Sequence, residues 1–343
     1  MNIFHSFARQ ALGLNILLIQ LKRIGDVILT TPCVVSLKAK YPQARITWVL
    51  DSACESMDEI LPGDQRLYFK KGALNAAFWR TLLFQKWDLC FEFTGTDRGR
   101  LVTAMSRASQ RVTYKRHAVG LGRHVFNRFI EVDVKTLHTV DYHLALVEAP
   151  SHCFSGSLII SASLEQKAES LLGSTGIQGP YAIVHPGAAR GEKMWSTGQW
   201  GQVIRFLTTE KNLNVLITGG RGPEEIAQID EIIKECASAR LCSLAGKTSL
   251  SELAAIIAKA QIFVGVDTGA SHMADAFQVP SAVLFGGTNP FHWGPRNQNG
   301  RAVGIHGFSS YPHDFPKCRM QEIPAENLIG AINSVPPLKA FTD

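Results

Sequence analysis

Short apolar segments alternate with helix-forming segments along most of this chain, and no other feature restricts its fold as strongly. The apolar segments have the length of buried strands, and the helical ones repeat apolar residues every three or four positions. We predict strands over residues 15–20, 45–50, 88–93, 181–185, 214–218, 262–266 and 281–285. We predict helices over residues 27–40, 73–84, 164–172, 199–211, 223–236, 249–260 and 273–277. Such alternation is typical of an α/β fold with mostly parallel sheets.

The alternation is interrupted between residues 149 and 180, which contain a single helical segment. A chain of 343 residues is long enough for two domains, each with its own hydrophobic core. We therefore predict a first domain over residues 1–155, a linker over 156–178 and a second domain over 179–343. The two would face a central cleft, and the final helix could pack back on the first domain.

Positive charge is concentrated in the first half, where residues 1–150 hold 20 Lys and Arg against 13 Asp and Glu. A stretch without any carboxylate, residues 98–130, carries most of the excess. Its basic residues are Arg98, Arg100, Arg107, Arg111, Lys115, Arg116, Arg123 and Arg128. A one-sign stretch of this length indicates an anionic partner, which on charge alone is nucleic acid, anionic lipid or an acidic saccharide. Few aromatic residues interrupt it, so stacking on nucleic-acid bases is weakly supported.

Several other patterns exclude whole classes of protein. No apolar run approaches the roughly 20 residues that span a bilayer. The seven cysteines are scattered and none forms a Cys-x-x-Cys pair, which is typical of a reduced, cytoplasmic chain. The chain also lacks an Asp-x-Asp pair, the usual clamp for a divalent metal on a nucleotide diphosphate. We therefore expect no metal and no cofactor.

Each half opens with a buried strand that runs into a turn suited to chemistry. In the first half, Gly25 permits a close turn and Asp26 follows at the start of a helix, where it is either a catalytic acid or a plain N-cap. In the second half, the small residues of Gly187-Ala188-Ala189 would let a ligand approach the backbone. Lys193 would add a mobile cation there, although loop lysines are often simply solvated.

The richest turn follows the predicted strand 262–266. It holds Asp267, Thr268, Gly269 and His272, and the next strand ends in a second turn, Gly286-Gly287-Thr288. Open α/β sheets bind ligands at the carboxyl ends of their strands, and helix starts with free N–H groups suit a diphosphate. Taken singly, Asp267 could be an ordinary N-cap and His272 a satisfied buried histidine. Two adjacent polar turns favour a binding site.

Together these segments resemble the ADP-heptose:lipopolysaccharide heptosyltransferase family. The resemblance covers about residues 15–330 in order. Its motifs are Leu21-Lys22-Arg23-Ile24-Gly25-Asp26-Val27, His185-Pro186-Gly187, Lys193-x-Trp195, Leu244-Ala245-Gly246-Lys247-Thr248-Ser249-Leu250, Asp267-Thr268-Gly269-x-x-His272 and Gly286-x-Thr288-x-Pro290. Some members have Thr-Thr where this chain has Ala188-Ala189, so a hydroxyl contact to the donor phosphates would be lost here.

The resemblance implies a GT-B fold, in which two Rossmann-like domains bind the acceptor and the nucleotide sugar respectively. It implies an inverting glycosyltransferase that moves heptose from ADP-heptose to the Kdo/heptose inner core of lipopolysaccharide. The acceptor would be lipid A carrying Kdo, so the enzyme would work peripherally at the cytoplasmic face of the inner membrane, with no nucleic-acid partner. The family's ribose-binding glutamate matches either Glu224 or Glu225.

Glycosyl transfer from a nucleotide diphosphate needs a base for the acceptor hydroxyl and positive charge for the departing diphosphate. We predict that Asp26 is the base and that Lys193 stabilises the diphosphate without a metal. The donor would also contact Gly187, Ala188, Ala189, Glu224 or Glu225, Asp267, Thr268, Gly269 and His272. The acceptor would contact Arg98, Arg100, Arg107, Arg111, Lys115 and Arg116. Competing hypotheses are a UDP-sugar transferase or epimerase of the same fold, and a non-catalytic protein that binds acidic glycans.

Overall fold

The computed structural model describes residues 13–120, 122–150, 157–187, 191–236, 238, 240–309 and 314–336. The chain divides into two compact units, Met1–His152 and Cys153–Asp343. Residues 156–178, which we expected to form a linker, belong to the second unit. Within the described residues, no helix is both long and apolar enough to cross a membrane.

The first unit is built on a sheet whose paired strands all run parallel. Its described strands are β1 Asn15–Gln20, β2 Arg45–Asp51, β3 Gln65–Phe69, β4 Leu89–Glu92, β5 Gln110–Tyr114 and β6 Arg128–Ile130. They lie in the order β3-β2-β1-β4-β5-β6. The first strand is therefore central, with β2 and β3 on one side and β4, β5 and β6 on the other. The four inner residues of β1 are apolar and its last five are buried, because helices cover both faces of a parallel sheet.

The helices of the first unit connect these parallel strands. They are α1 Ile24–Lys40, α2 Ala76–Phe84, α3 Asp97–Ser106, α4 Gly122–Val125 and α5 Thr139–Leu146. Pro32 lies inside α1 and cannot donate to the carbonyl of Ile28. The hydroxyl of Thr31 donates to that carbonyl instead, at 2.6 Å, so the helix continues through the proline.

The second unit repeats the arrangement around a larger sheet. Its described strands are β7 Tyr181–His185, β8 Asn214–Ile217, β9 Leu241–Ser243, β10 Ile262–Val266, β11 Ser281–Leu284, β12 Gly300–Gly304 and β13 Gly307–Ser309. The order is β13-β12-β11-β10-β7-β8-β9, and β13 is antiparallel to β12. Its helices are α6 Ala162–Ser174, α7 Thr197–Thr209, α8 Pro223–Cys236, α9 Leu250–Ala258, α10 Gly269–Ala276, α11 Pro290–Trp293 and α12 Ala325–Ser334.

The predicted alternation and mostly parallel sheets are confirmed, but several helices begin earlier than predicted, and two of these differences concern candidate site residues. α1 begins at Ile24 instead of residue 27, and α10 begins at Gly269 instead of residue 273. In both cases the first turn contains polar residues or glycine, which from sequence alone are typical of a loop. The correction matters because Asp26 and Gly269 therefore belong to helical first turns. The last helix, α12, packs its apolar side into the core of the second unit.

Candidate functional site

Asp267 is the centre of a polar cluster in the second unit. Its Oδ2 lies 2.6 Å from Lys193 Nζ, and the same ammonium group donates to the Asp267 carbonyl at 2.8 Å. The Thr288 hydroxyl donates to Oδ2 at 2.8 Å, and His272 Nε2 lies 3.7 Å from Oδ1. Three segments far apart in sequence therefore meet at one carboxylate. Of these groups, the prediction of site residues had left out Thr288.

The sheet topology explains this meeting. β10 lies between β7 and β11, so the residues that follow these three strands emerge side by side at the carboxyl edge. Thr268 is the N-cap of α10, and its backbone N–H donates to the Ser271 hydroxyl at 3.1 Å. The buried Thr268 Oγ1 has no hydrogen-bond partner within the described part of the chain. The start of α10, where the helix dipole is positive, is thus suited to bind an anion.

Lys193 is held in place by a firmly packed neighbour. It ends a short 3-10 helix, Gly191–Lys193, and is about one-fifth exposed. Trp195 is buried, donates through Nε1 to the carbonyl of Ile323 at 3.0 Å and packs edge-on against Trp200. This anchor fixes the backbone two residues from Lys193. The ammonium group can therefore stay beside Asp267 while part of it faces solvent.

The structure distinguishes the two glutamates that could contact a ribose. Glu225 Oε1 accepts from the Gly220 N–H at 2.7 Å, and a Cβ at Gly187 would clash with the Glu225 carboxylate. Glu224 is exposed. Glu225 therefore lies against the turns that follow β7 and β8. Ala188 and Ala189, predicted to contact the donor, lie outside the described residues.

In the first unit, Asp26 lies in the first turn of α1. The N-cap of this helix is Arg23, so Asp26 is not the cap that was the alternative interpretation. The Asp26 side chain is 15% exposed, and Oδ1 lies 4.0 Å from Lys22 Nζ. An acidic group in a helical first turn is stabilised by the helix dipole. Asp26 is thus an accessible carboxylate at the carboxyl edge of the sheet.

A buried network fixes the backbone of Asp26. The Thr30 hydroxyl donates to the Asp26 carbonyl at 2.7 Å and accepts from Gln20 Nε2 at 2.9 Å. His143 Nδ1 lies 3.0 Å from the same hydroxyl. Burial lowers the pKa of His143 to about 3, so the ring is neutral at pH 7. Because Thr30 already donates its proton to Asp26, His143 Nδ1 must carry a proton and donate.

A second carboxylate, Glu92, lies next to β1 at the end of β4 but is fully buried. It accepts hydrogen bonds from the backbone N–H groups of Thr94 at 2.8 Å and Gly95 at 2.9 Å, and from both threonine hydroxyls, Thr94 and Thr113. Burial raises the pKa of Glu92. A carboxylate enclosed in this way cannot reach an acceptor hydroxyl, so Asp26 is the better placed of the two.

The basic stretch does not form one surface. The start of a helix that follows a parallel strand lies at the carboxyl edge of the sheet, and its end lies at the amino edge. The residues at the carboxyl edge with Asp26 are Arg98, Arg100, Lys115 and Arg116. Those at the opposite edge are Arg107, Arg111 and Arg128. The ten residues of α3 separate the two groups by about 15 Å.

Many of these charges are also neutralised by acids outside the stretch. The ion pairs join Arg98 to Asp51 at 3.1 Å, Arg100 to Asp97 at 2.8 Å, Lys115 to Glu131 at 2.7 Å, and Arg128 to Glu148. Arg111 donates to two backbone carbonyls and so has a structural role. Arg116 differs from Arg98, Arg100 and Lys115 at the same edge, because it forms no ion pair with any described residue.

Comparison with known proteins agrees with the family resemblance found in the sequence. The family model for glycosyltransferase family 9 (heptosyltransferase) matches residues 75–323. The chain is 26% identical to lipopolysaccharide heptosyltransferase 3 of Escherichia coli K12 over 333 residues, which cover 91% of this chain and 95% of that protein. It is 22% identical to the lipopolysaccharide core heptosyltransferase OpsX of Haemophilus influenzae, covering 85% and 84% of the two chains.

Solved structures support the fold. A glycosyltransferase of family 9 from Veillonella parvula superimposes with a TM-score of 0.79 at 21% identity, covering 93% of this chain and 96% of that one. The E. coli heptosyltransferase WaaC, solved with ADP, gives a TM-score of 0.75 at 18% identity, covering 93% and 99%. The predicted GT-B fold is thereby confirmed.

Proposed function

Because the chain belongs to glycosyltransferase family 9, the heptosyltransferase family, we propose that it transfers heptose from ADP-heptose to the anionic inner core of lipopolysaccharide. The observation that carries the proposal is the Lys193–Asp267–Thr288 cluster at the carboxyl ends of three neighbouring strands. That cluster combines a cation, hydroxyl groups and a helix start, which are the groups that a sugar diphosphate requires.

The donor would bind to the second unit. Lys193 and the first turn of α10 would face the diphosphate, and Glu225 would accept a hydrogen bond from the ribose. Asp267 and His272 would orient the heptose, while Gly187, Thr268 and Gly269 would allow the donor to approach the backbone. The solved complex of WaaC with ADP supports an adenine nucleotide as the donor's carrier.

The acceptor would bind to the first unit. Asp26 would remove the proton from the acceptor hydroxyl, whose oxygen then attacks the anomeric carbon of heptose. The bond from that carbon to the diphosphate breaks on the opposite side, so the configuration inverts and ADP leaves. Arg98, Arg100, Lys115 and Arg116 lie at the right edge of the sheet to contact an acidic acceptor. Arg107 and Arg111 do not.

The location of the enzyme follows from its substrates. A lipid A acceptor is embedded in a membrane and ADP-heptose is water-soluble, so we infer a cytoplasmic enzyme that works at the membrane surface. Arg107, at the amino edge, is exposed and could contact anionic lipid. Vesicle flotation with and without anionic lipid would test this association.

We expect transfer to proceed without a divalent metal. The described residues contain no group of three or more His, Cys, Asp or Glu side chains that could hold a metal ion. Lys193 and the α10 start would supply the positive potential that a metal supplies elsewhere. Turnover in excess chelator should equal turnover in magnesium. Loss of activity in chelator that magnesium restores would contradict this prediction.

Nucleotide binding tests the donor independently of the acceptor. At about 100 times its Kd, ADP should stabilise the protein by about 2.7 kcal/mol. The midpoint of thermal unfolding should then rise by roughly 5–10 °C. UDP and GDP at the same concentration should raise it less. Stronger stabilisation by UDP would favour a UDP-sugar enzyme instead.

Two further outcomes separate the competing functions. An epimerase would convert the nucleotide sugar without any acceptor, whereas a transferase should release ADP only when the acidic core oligosaccharide is present. A non-catalytic glycan-binding protein would bind the oligosaccharide and release no ADP under either condition. Measuring ADP release with and without acceptor distinguishes all three.

A further inference from the structure

A chain of hydrogen bonds links the buried carboxylate of Glu92 to the exposed guanidinium of Arg116. Arg116 Nε lies 3.2 Å from His117 Nε2, and His117 Nδ1 lies 3.0 Å from the Thr113 hydroxyl. That hydroxyl lies 3.0 Å from the Glu92 carbonyl and 3.3 Å from Glu92 Oε2. Both ends of the chain lie at the carboxyl edge of the sheet that also holds Asp26.

The chemistry of the groups fixes the direction of every bond. A guanidinium can only donate, so His117 Nε2 accepts and the ring proton lies on Nδ1. The Thr113 hydroxyl then accepts from His117, and its single proton is shared between the Glu92 carbonyl at 3.0 Å and Oε2 at 3.3 Å. Burial, and then the positive charges of Arg116, Lys22 and Arg100, lower the pKa of His117 to about 4. His117 is therefore neutral at pH 7 and keeps its acceptor for Arg116.

The loop that contains Gly95 packs tightly against this chain of hydrogen bonds. Gly95 has a φ of +66°, and its N–H donates to Glu92 Oε2 at 2.9 Å. A Cβ at this position would lie 2.5 Å from His117 Nε2. The His117 ring thus packs directly on the Gly95 backbone, and Glu92 holds that loop from below.

Aromatic rings complete the support of Arg116. Its Cζ lies 4.9 Å from the ring centroid of Tyr142 and 5.6 Å from that of Tyr114. These two rings stack on each other with centroids 3.9 Å apart. A guanidinium stacked on tyrosine and bonded through Nε has little freedom left, yet Arg116 forms no ion pair within the described ranges. Its fork is therefore prepared for an external oxyanion.

We propose that His117 is a positioning residue, held by Thr113 and Glu92, that orients Arg116 to bind an oxyanion of the acceptor. The oxyanion is a carboxylate or a phosphate, both of which match the planar fork of arginine. The inference rests on the proposed function, since it assigns the acidic acceptor to one residue of the first unit. It also separates Arg116 from Arg98, Arg100 and Lys115, whose charges are paired, and from Arg107, Arg111 and Arg128, which lie at the opposite edge.

The protein provides a matched control for the Arg116–His117 pair. Arg123 Nε lies 3.0 Å from His124 Nε2, so the same adjacent Arg–His pair recurs in α4. Both of these side chains are exposed, whereas the His117 side chain is 11% exposed. A substitution at His124 removes the same type of local contact without touching the chain to Glu92.

The test compares His117→Phe with His124→Phe in steady-state transfer to a lipid-free core oligosaccharide that carries Kdo. We expect His117→Phe to raise the acceptor KM about tenfold, the loss expected for a hydrogen bond that orients a charged group. The kcat and the donor KM should stay within about twofold, and His124→Phe should match the wild type. His117→Gln, whose Oε1 can accept from Arg116, should recover part of the loss.

Two modified oligosaccharides identify the oxyanion. With a carboxyl-reduced acceptor, the KM of the wild type should rise to that of His117→Phe if Arg116 binds the carboxylate. With a dephosphorylated acceptor, the acceptor KM values of the wild type and His117→Phe should become equal if Arg116 binds a phosphate. The proposal would be overturned if the two KM values stay different with both modified acceptors. It would also be overturned if His117→Phe and His124→Phe change the acceptor KM equally.

Two additional measurements keep the result interpretable. If His117→Phe lowers the thermal midpoint, Thr113→Val breaks the same chain with an isosteric residue and should raise the acceptor KM while kcat is kept. Calorimetric binding of the three oligosaccharides to wild type and His117→Phe needs no turnover. An anion-dependent difference in binding without any transfer would reject the proposed function and retain the role of His117.

Discussion

Replacing Asp26 with asparagine should reduce turnover by a factor on the order of 10² to 10⁴, which is the usual contribution of a general base. Asparagine has nearly the same size, but it cannot take the proton of an acceptor hydroxyl. The Asp26 side chain makes no hydrogen bond with the described residues, and its nearest cation, Lys22 Nζ, is 4.0 Å away. The thermal midpoint and the affinity for ADP should therefore stay close to those of the wild type.

Asp97→Asn is the matched control for this experiment. Asp97 also lies in a helical first turn, that of α3, and its side chain is 96% exposed. Like Asp26, it lies at the start of a helix that follows a strand of the first sheet, so it lies at the same carboxyl edge. Turnover of Asp26→Asn within a few-fold of the wild type, combined with a large loss in Asp97→Asn, would transfer the role of base to Asp97. Burial excludes Glu92 from that role.

The central strands of both sheets could be predicted because each contains a continuous apolar run that covers most of its length. β1, β7 and β10 were predicted with the bounds that the structure has. The outer strands β3 and β5 were not predicted, because they read QRLYF and QRVTY and mix charged with apolar residues. An outer strand is partly exposed, so its sequence lacks the continuous apolar run that identifies a buried strand.

The candidate donor residues could be predicted because the residues after neighbouring parallel strands must meet. Lys193 and Asp267 were both predicted in this way, and they contact each other. The ion pairs of the basic stretch could not be predicted, since the partner of Arg98 is 47 residues away in the sequence. The hydrogen-bonded chain from Glu92 to Arg116 could not be predicted for the same reason. A threonine and a histidine give no sign in the sequence that a carboxylate 21 residues away is their partner.

The second large effect is expected at Lys193. Charge builds up on the diphosphate as the bond to heptose breaks, and a fixed cation stabilises that charge most in the transition state. Removing one such group typically costs on the order of 10² to 10³ in kcat. Lys193→Met keeps most of the aliphatic length and removes the charge. Lys193→Arg keeps the charge but changes the donor geometry, so its kcat should lie between those of Lys193→Met and the wild type.

The difficulty in interpreting Lys193→Met is that the same ammonium group also neutralises Asp267, whose side chain is 7% exposed. Leaving a buried carboxylate without its cation destabilises a protein, so the thermal midpoint of Lys193→Met should fall. The two effects separate with ADP, which should bind Lys193→Met more weakly if the lysine contacts the diphosphate. Lys247→Met is the control, since Lys247 is an exposed lysine of the same unit that also donates to a carbonyl, at 3.1 Å from Ser243. A variant that loses stability but keeps both kcat and ADP affinity would show that Lys193 serves Asp267 alone, and the diphosphate would then depend on the first turn of α10.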